Sequence, residues 1–498
     1  MRAALGYTSR TSHVADRPEM AGLLCSECFR TQFKFSGKTI ERELIRIMLL
    51  GTQRVGATGN LEIGGCDTVR LAAEFGTPLY VIDEAAIRAS CRQYKAAFEK
   101  RYPKNEIYYA SKAFLTSAMA TIVAEEGLSM DVASLGELYV ALHAGFPPEK
   151  LALHGNNKSA DELRMAVDAR IGHIVLDNFN EIEMLAEIVR AKGVEQEVLV
   201  RTAPGVDPQT HRLIRTGQAD TKFGLNIADG SALRAVKRVL ALPGLRYRGI
   251  HCHIGSQLLD SETHALSAEI MARLMQQIAE ETGVVTAELN IGGGLGVRYL
   301  SSHQPPSYDA FAEAVTTPLK RALDQAGLPY PTLAQEPGRA LVGEAGTTLY
   351  TIGAIKTVPL DAAMGENGRK RTYVSIDGGM SDNPRPQLYE AVYECLVANK
   401  ADRPADALVS IAGKHCETDI LIWDTHIAQP ETGDILAVQT TGAYNFAMAS
   451  NYNCFLRPAV VLVNEGDADL IVERESLEDL VRRQRIPARL APALATAG

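Results

Sequence analysis

The chain has a single tryptophan and eight cysteines in 498 residues, and it has no apolar run long enough to cross a bilayer. Its longest apolar stretches are strand-sized, such as "AVVLV" at 459–463. The cysteines, at 25, 28, 66, 91, 252, 395, 416 and 454, are too sparse for a disulfide framework. They fit the reduced thiols of a cytoplasmic protein. Cys25 and Cys28 form a CxxC, but no second pair or nearby histidine completes a metal set. Positive charge is also short, and a net charge of −9 argues against a broad nucleic-acid surface. What is present, 46% hydrophobic and 22% charged residues, suits a soluble globular enzyme whose length calls for two domains.

The two ends differ from the middle. Residues 1–55 read as a partly disordered extension, with eight Lys or Arg against five Asp or Glu in the first 48. They lack the order of charge, apolar core and cleavage site that marks a signal peptide. A targeting extension and a translation start upstream of the true one both fit, with Met48 as an alternative start. Residues 481–498, which include "IPARLAPALATAG", read as a loose tail.

Between Glu106 and Arg339, short β-prone runs alternate with amphipathic helical stretches. Eight runs qualify as strands: "EIYYASK", "LSMDVAS", "KLALHGN", "HIVLDN", "EVLVRTAPG", "YRGIHCHIGS", "AELNIGGG" and "TLAQEPGR". Eight β/α units predict an α/β fold, a TIM (β/α)8 barrel over 84–345. Lys112, Asp131, His154, Asp177, Arg201, His253, Gly292–Gly294 and Glu336 all fall where these strands end. In such a barrel they would ring one mouth. Beyond Arg339 the long helices disappear, and a second, sandwich- or barrel-like β domain is expected over 346–480. Residues 56–83 are expected to add strands to it.

"YYASKAF" poses the chemical question, because Lys112 is either a surface residue just past a strand or an amine held in a pocket. A lysine at a strand end, facing glycines, a histidine and a carboxylate, suits an aldehyde cofactor. "NIGGGLG" lets backbone N–H groups approach a phosphate closely, but it is a poor dinucleotide fingerprint with Val297 in the final small-residue position. Glu336 suits the task of keeping a pyridine nitrogen protonated, and His253 that of lying flat on the ring. The HxH of His251 and His253 leaves a metal-dependent barrel hydrolase as another reading, although it gives Lys112 and the glycines no task.

The set "YASKAF", "HCHIGSQ", "NIGGGLG", "EPGR", "DGGMSDNPRPQLY", "GKHCETD" and "GAYNFAMASNYN" closely resembles diaminopimelate decarboxylases. These are pyridoxal 5'-phosphate enzymes of the alanine-racemase-like, fold-type III group, and the resemblance spans about Gly59 to Glu473. It implies that Lys112 is the Schiff-base lysine and that His253 stacks on the cofactor ring. Ser256, Gly293, Gly294 and Tyr444 would hold the phosphate, and Glu336 would face the pyridine nitrogen. Asp131 of "MDVAS" falls near Lys112, where a cofactor contact and a structural role are both open. It further implies that Arg339, Arg385 and Tyr389 grip the distal carboxylate of the substrate. Cys416 and Glu417 would enter from a neighbouring subunit, making the protein a homodimer, with Cys416 as proton donor. The expected reaction is decarboxylation of meso-diaminopimelate to lysine. A decarboxylase of ornithine, lysine or carboxynorspermidine, and a non-enzymatic pyridoxal-phosphate carrier, are the alternatives. Two arginines for a distal carboxylate argue against the first, and the β-domain residues argue against the second.

Overall fold

The computed structural model describes residues 49–206, 220–360 and 368–490. The CxxC of Cys25 and Cys28, and Met48, lie outside them. The first described strands, β1 (Arg54–Val55), β2 (Leu61–Ile63) and β3 (Cys66–Asp67), form a small antiparallel sheet of their own. This corrects two expected edges. Arg54 and Val55 belong to a folded hairpin rather than to an extension, and 56–67 packs on the β region through Leu61, Ile63 and Cys66 without pairing into its sheet.

β4 (Leu79–Asp83) is the segment that does join it, and all five residues of "LYVID" are buried. A strand paired on both sides and covered on both faces reads as a continuous apolar run rather than an alternating one. Asp83 at its end caps the helix Glu84–Glu99 through Ala86 N (3.0 Å). The same carboxylate accepts from Thr52 N and Oγ1 at 2.9 and 2.6 Å, which ties the amino-terminal segment to the start of the barrel.

The barrel strands are β5 (Asn105–Ala110), β6 (Ser129–Val132), β7 (Leu151–Leu153), β8 (His173–Leu176) and β9 (Gln196–Ala203). After the two-residue β10 (Leu225–Asn226) come β11 (Leu245–His251), β12 (Glu288–Asn290) and β13 (Thr332–Gln335). Every pairing among them is parallel, β13 returns to β5 and β8 pairs with β9, so eight strands close the sheet. β10 is a short addition beside β9. Closure leaves no open edge and puts every strand's carboxyl end on one rim.

Local signals start the outer helices where the strands end. Ser159 and Glu162 form a reciprocal capping box for Ala160–Ala169, a device worth about 1 kcal/mol. That helix buries Leu163, Ala166 and Val167. Below the rim, Lys158 reaches inward to Glu181 at 2.6 Å, with both side chains 2% exposed. Its ammonium also donates to the carbonyls of Gly155 and Val175, both at 2.7 Å, fastening the ends of β7 and β8 together.

The second region contains β14 (Gly346–Pro359), β15 (Lys370–Ile376), β16 (Cys395–Val397) and β17 (Ala407–Ala412). It continues with β18 (Ile420–Ile427), β19 (Ile435–Gln439), β20 (Ala459–Asn464) and β21 (Asp467–Val472). The first half of β14 pairs with β4 and β19. After a register shift between Ile352 and Ile355 it pairs with β15, so one bent strand serves two layers. β16 and β18 were not anticipated. β16 has three residues, too few to show a period, and the second half of β18 is largely exposed. No helix among the described residues is long and apolar enough to cross a membrane.

Candidate active site

A pocket of about 380 Å³ opens at the barrel rim. Its lining brings together Lys112, Asp131, His253, Ser256, Glu336 and Arg339 from the barrel with Arg385, Tyr389 and Tyr444 from the β region. Gly293 and Gly294 line its narrow inner end, together with Lys112, His253, Ser256 and Tyr444.

Lys112 sits on a single 3₁₀ turn, Ser111–Ala113, directly after β5. Its side chain is exposed, but into the pocket. Burial within the surrounding protein works to lower its pKa, while Asp131, then Tyr444 and Glu336, more than offset this and raise it. The amine is therefore held as a cation. Asp131 faces Ala110 across the β5–β6 pairing, which places it beside that turn. Burial, and then Glu336, push its carboxyl up to about 7 against the pull of Lys112. Tyr444 is brought to the same turn by its backbone N–H, which donates to Ala113 O at 2.8 Å.

Glu336 ends β13 at the floor of the pocket and is 6% exposed. His251 Nε2 donates to its Oε2 (3.1 Å), Asn290 Nδ2 donates to Oε1 (2.8 Å), and His154 Nε2 lies 3.1 Å from Oε1. Burial alone would raise this carboxyl, but His154 and His251 hold it well below the usual carboxylate range. Burial lowers His251 to about 4, so its ring is neutral and serves Glu336 as an N–H donor. His253 is pushed well below its ordinary value by burial and then by Lys112 and Arg201, so it too is neutral.

The two histidines of the HxH do not converge as a pair of ligands. His154, His251 and Glu336 bring their ligand atoms within 4.8 Å of one another, whereas His253 Nδ1 accepts from Gly293 N at 3.3 Å. The three close residues already have a task, since two imidazoles and an amide hold one buried carboxylate ionised.

At the inner end, the loops after β11 and β12 lie side by side. Gly292 and Gly294 have φ of +70° and +120°, backbone that side chains rarely adopt. A Cβ on Gly293 would collide with the Glu336 carbonyl oxygen. Only glycine allows this approach, and the result is a small hollow next to Ser256. Arg339 Nη2 donates to Ser256 Oγ at 3.0 Å and Nη1 donates to Tyr299 OH, so this arginine reaches towards the glycine loop as well. Its Nε is buried without a hydrogen-bond partner among the described residues.

The outer half of the pocket is cationic and aromatic. Arg385, buried on the short helix Arg385–Tyr389, donates from Nε to Tyr393 OH at 3.0 Å. Its guanidinium lies 5.4 Å from the Tyr389 ring centroid and 5.7 Å from that of Tyr444. Among the described residues no carboxylate lies within ion-pair distance of Arg339 or Arg385. Arg201 stacks over Phe223 at 4.4 Å, with Asp177 3.8 Å from its Nε.

Cys416 and Glu417 stand apart. Both are exposed, and neither lines this pocket. The reading from sequence missed His251 and Asn290 as anchors of Glu336, and Tyr299 as the partner of Arg339. One signal for His251 was available, because "HCH" puts His251 and His253 two residues apart and so on the same face of a strand.

An amine beside a glycine-lined hollow, with an ionised carboxylate across the floor, matches the needs of a phosphorylated pyridine aldehyde, and this places the chain among barrel enzymes of the pyridoxal-phosphate class. Residues 84–343 match the family described as pyridoxal-dependent decarboxylase, pyridoxal binding domain. The diaminopimelate decarboxylase of Bacillus subtilis is 46% identical over 437 residues, 88% of this chain and 98% of that protein. The Bacillus methanolicus diaminopimelate decarboxylase is 45% identical over 86% of this chain and 97% of its own. The crystal structure of diaminopimelate decarboxylase from M. jannaschii in complex with L-lysine matches with a TM-score of 0.82 at 34% identity, covering 89% of this chain and all of that one. The chain belongs to the diaminopimelate decarboxylase family of pyridoxal-dependent decarboxylases.

Proposed function

We propose that this protein removes CO₂ from meso-2,6-diaminopimelate to give L-lysine, the last step of lysine biosynthesis, and that it does so in the cytoplasm. One observation carries the choice of substrate: Arg339 and Arg385 are buried against the pocket, and no acidic partner is within reach of either among the described residues. Buried guanidinium groups call for an anion. A substrate carboxylate far from the reacting carbon would supply one, and ornithine and lysine have none.

Lys112 would anchor pyridoxal phosphate. Ser256, Gly293, Gly294 and Tyr444 would hold its phosphate, His253 would cover the ring, and Glu336 would keep the ring nitrogen protonated. The donors on Glu336, the glycine cradle and the neutral His253 ring all support this fit. When bound, the cofactor withdraws the electron pair left on the α-carbon as the bond to the carboxylate breaks and CO₂ leaves. This chain's residues set the geometry around that event. Arg385 and Tyr389, with Arg339, grip the distal carboxylate and point one α-carbon inward. Between turnovers the Lys112 amine would hold the cofactor's aldehyde carbon, and during turnover it would stay beside Asp131 and Glu336 as a free amine.

A proton must return to the same carbon. Among the described residues the pocket lining of a single chain includes no thiol, and its acids are Asp131 and Glu336. We assign the proton to the Cys416 Sγ of a second copy of the chain and the distal substrate amine to Glu417 beside it. The exposed position of both residues is consistent with that assignment. The thiol would give its proton to that carbon and recover one from solvent.

The test is an absorbance spectrum of the purified protein before and after adding meso-diaminopimelate, with CO₂ trapped. A visible cofactor band, fixed to the Lys112 peptide by borohydride, with lysine and CO₂ formed in equal amounts, is the expected result. Release of CO₂ from ornithine or lysine, and none from diaminopimelate, would overturn the substrate assignment.

A further inference from the structure

Cys416 and Glu417 are exposed, yet a buried network fixes the segment that carries them. His415, immediately before them, turns inward and its side chain has no exposed surface. Its Nδ1 donates to Asp419 Oδ2 at 2.6 Å, and its backbone N–H donates to the same oxygen at 3.1 Å. Met380 N donates to Asp419 Oδ1 at 2.8 Å, and Gly413 N to the Asp419 main-chain oxygen at 2.7 Å. Asp419 itself has a left-handed φ of +42°. A Cβ on either Gly379 or Gly413 would collide with its carboxylate. The neighbouring chain is cut away to let one buried carboxylate collect these donors.

The outer side of the segment is fastened too. The His415 ring stacks on Tyr452, with centroids 5.9 Å apart and planes at 11°. Tyr452 OH donates to Glu417 Oε1 at 2.7 Å, and Cys416 N donates to Asn453 Oδ1 at 3.0 Å. Asn453 and Cys454 both have positive φ, 51° and 59°. Ordering exposed residues costs conformational entropy, and left-handed backbone at non-glycine residues adds strain. His415 Nε2 is also buried without a hydrogen-bond partner among the described residues, which a leucine of similar size would avoid. These costs fall on the segment that bears Cys416 and Glu417.

We propose that the Asp419–His415 pair is the positioning element for Cys416 and Glu417, holding thiol and carboxylate at a fixed height above the protein surface. The proposal rests on the assignment of those two residues to proton return and amine recognition. Through Met380, Asp419 also fastens the segment leading into Arg385, and Gln387 Nε2 donates to Ile420 O at 3.1 Å. One carboxylate thus spaces the parts of the β region that face two different pockets, the chain's own and its neighbour's.

The experiment compares holoenzyme carrying Asp419→Asn, His415→Leu or His415→Gln with Cys416→Ala as reference. It reads kcat, KM for meso-diaminopimelate, the cofactor band, and the rate at which iodoacetamide alkylates Cys416, mapped by mass spectrometry. Asp419→Asn and His415→Leu are expected to lower kcat about 100-fold, the scale of an ångström-sized misplacement. Both should also raise KM and alter Cys416 alkylation several-fold while the cofactor band stays as in wild type. His415→Gln, which keeps a donor for Asp419, should recover most of kcat. His415→Leu with wild-type kcat and wild-type alkylation would overturn the positioning role. If Asp419→Asn does not fold, the two His415 variants decide. Wild-type kcat in Cys416→Ala would overturn the proton-donor reading itself, whatever the alkylation rates show about the anchor.

Discussion

The barrel and the β region contribute to one pocket by different physical means. The barrel's groups, Lys112, Asp131, His253 and Glu336, stand on or just past strand ends in a closed sheet, and their charge states are set by burial and by each other. The β region's groups, Arg385, Tyr389 and Tyr444, stand on short turns and a five-residue helix, and are placed by aromatic faces and phenol hydroxyls. A closed sheet holds a constellation rigidly, as a cofactor used in every turnover requires. Short connecting segments vary without disturbing a core, which suits the recognition of one substrate's far end. On the proposed reading, the barrel half holds the cofactor and the β-region half selects the substrate.

The sharpest way to break that comparison is at its two ends. Lys112→Ala should abolish activity and the borohydride-stable attachment of cofactor, read by absorbance and by mass of the 112 peptide. Arg385→Ala should leave attachment intact and raise KM for diaminopimelate about 10- to 100-fold, from the roughly 1.5–3 kcal/mol of a charge-assisted hydrogen bond. An unchanged KM would remove Arg385 from the substrate site.

Stability separates the two regions next. Glu181→Ala strands the Lys158 ammonium below the barrel rim and should cost about 3–5 kcal/mol, measured by denaturant unfolding. Burial lowers Lys158 and raises Glu181, so desolvation already opposes the pair, and replacing both with apolar residues should cost much less.

The smallest effect is a pH dependence in the β region. Burial raises the Asp382 carboxyl from 3.8 to about 7, against hydrogen bonds from Tyr350 and Gly379. Between about pH 4 and pH 7 the unfolded chain has released a proton that the folded chain keeps, so this group's contribution to stability falls as pH rises. The Tm advantage of wild type over Asp382→Asn should shrink from pH 5 to pH 7.5. An advantage that stays level over that range would mean Asp382 is already ionised in the folded protein at pH 5.

The sequence alone determined the eight barrel strands and the residues that end them. Strand alternation, helix capping and glycine placement are local, and they leave local traces such as "NIGGG" and "YASK". It also supplied the composition of the candidate site, because the groups a phosphate, an amine and a pyridine nitrogen need are few and chemically distinct. Only the tertiary structure decided how Glu336 stays charged, since His154, His251 and Asn290 come from three other strands or strand ends and meet it only when the barrel closes. It likewise decided that β14 bends to serve two layers, and that Cys416 and Glu417 sit outside their own chain's pocket. Charge state, strand pairing and exposure depend on neighbours distant in sequence, and those neighbours are fixed only by closing the sheet and packing the second region over its rim.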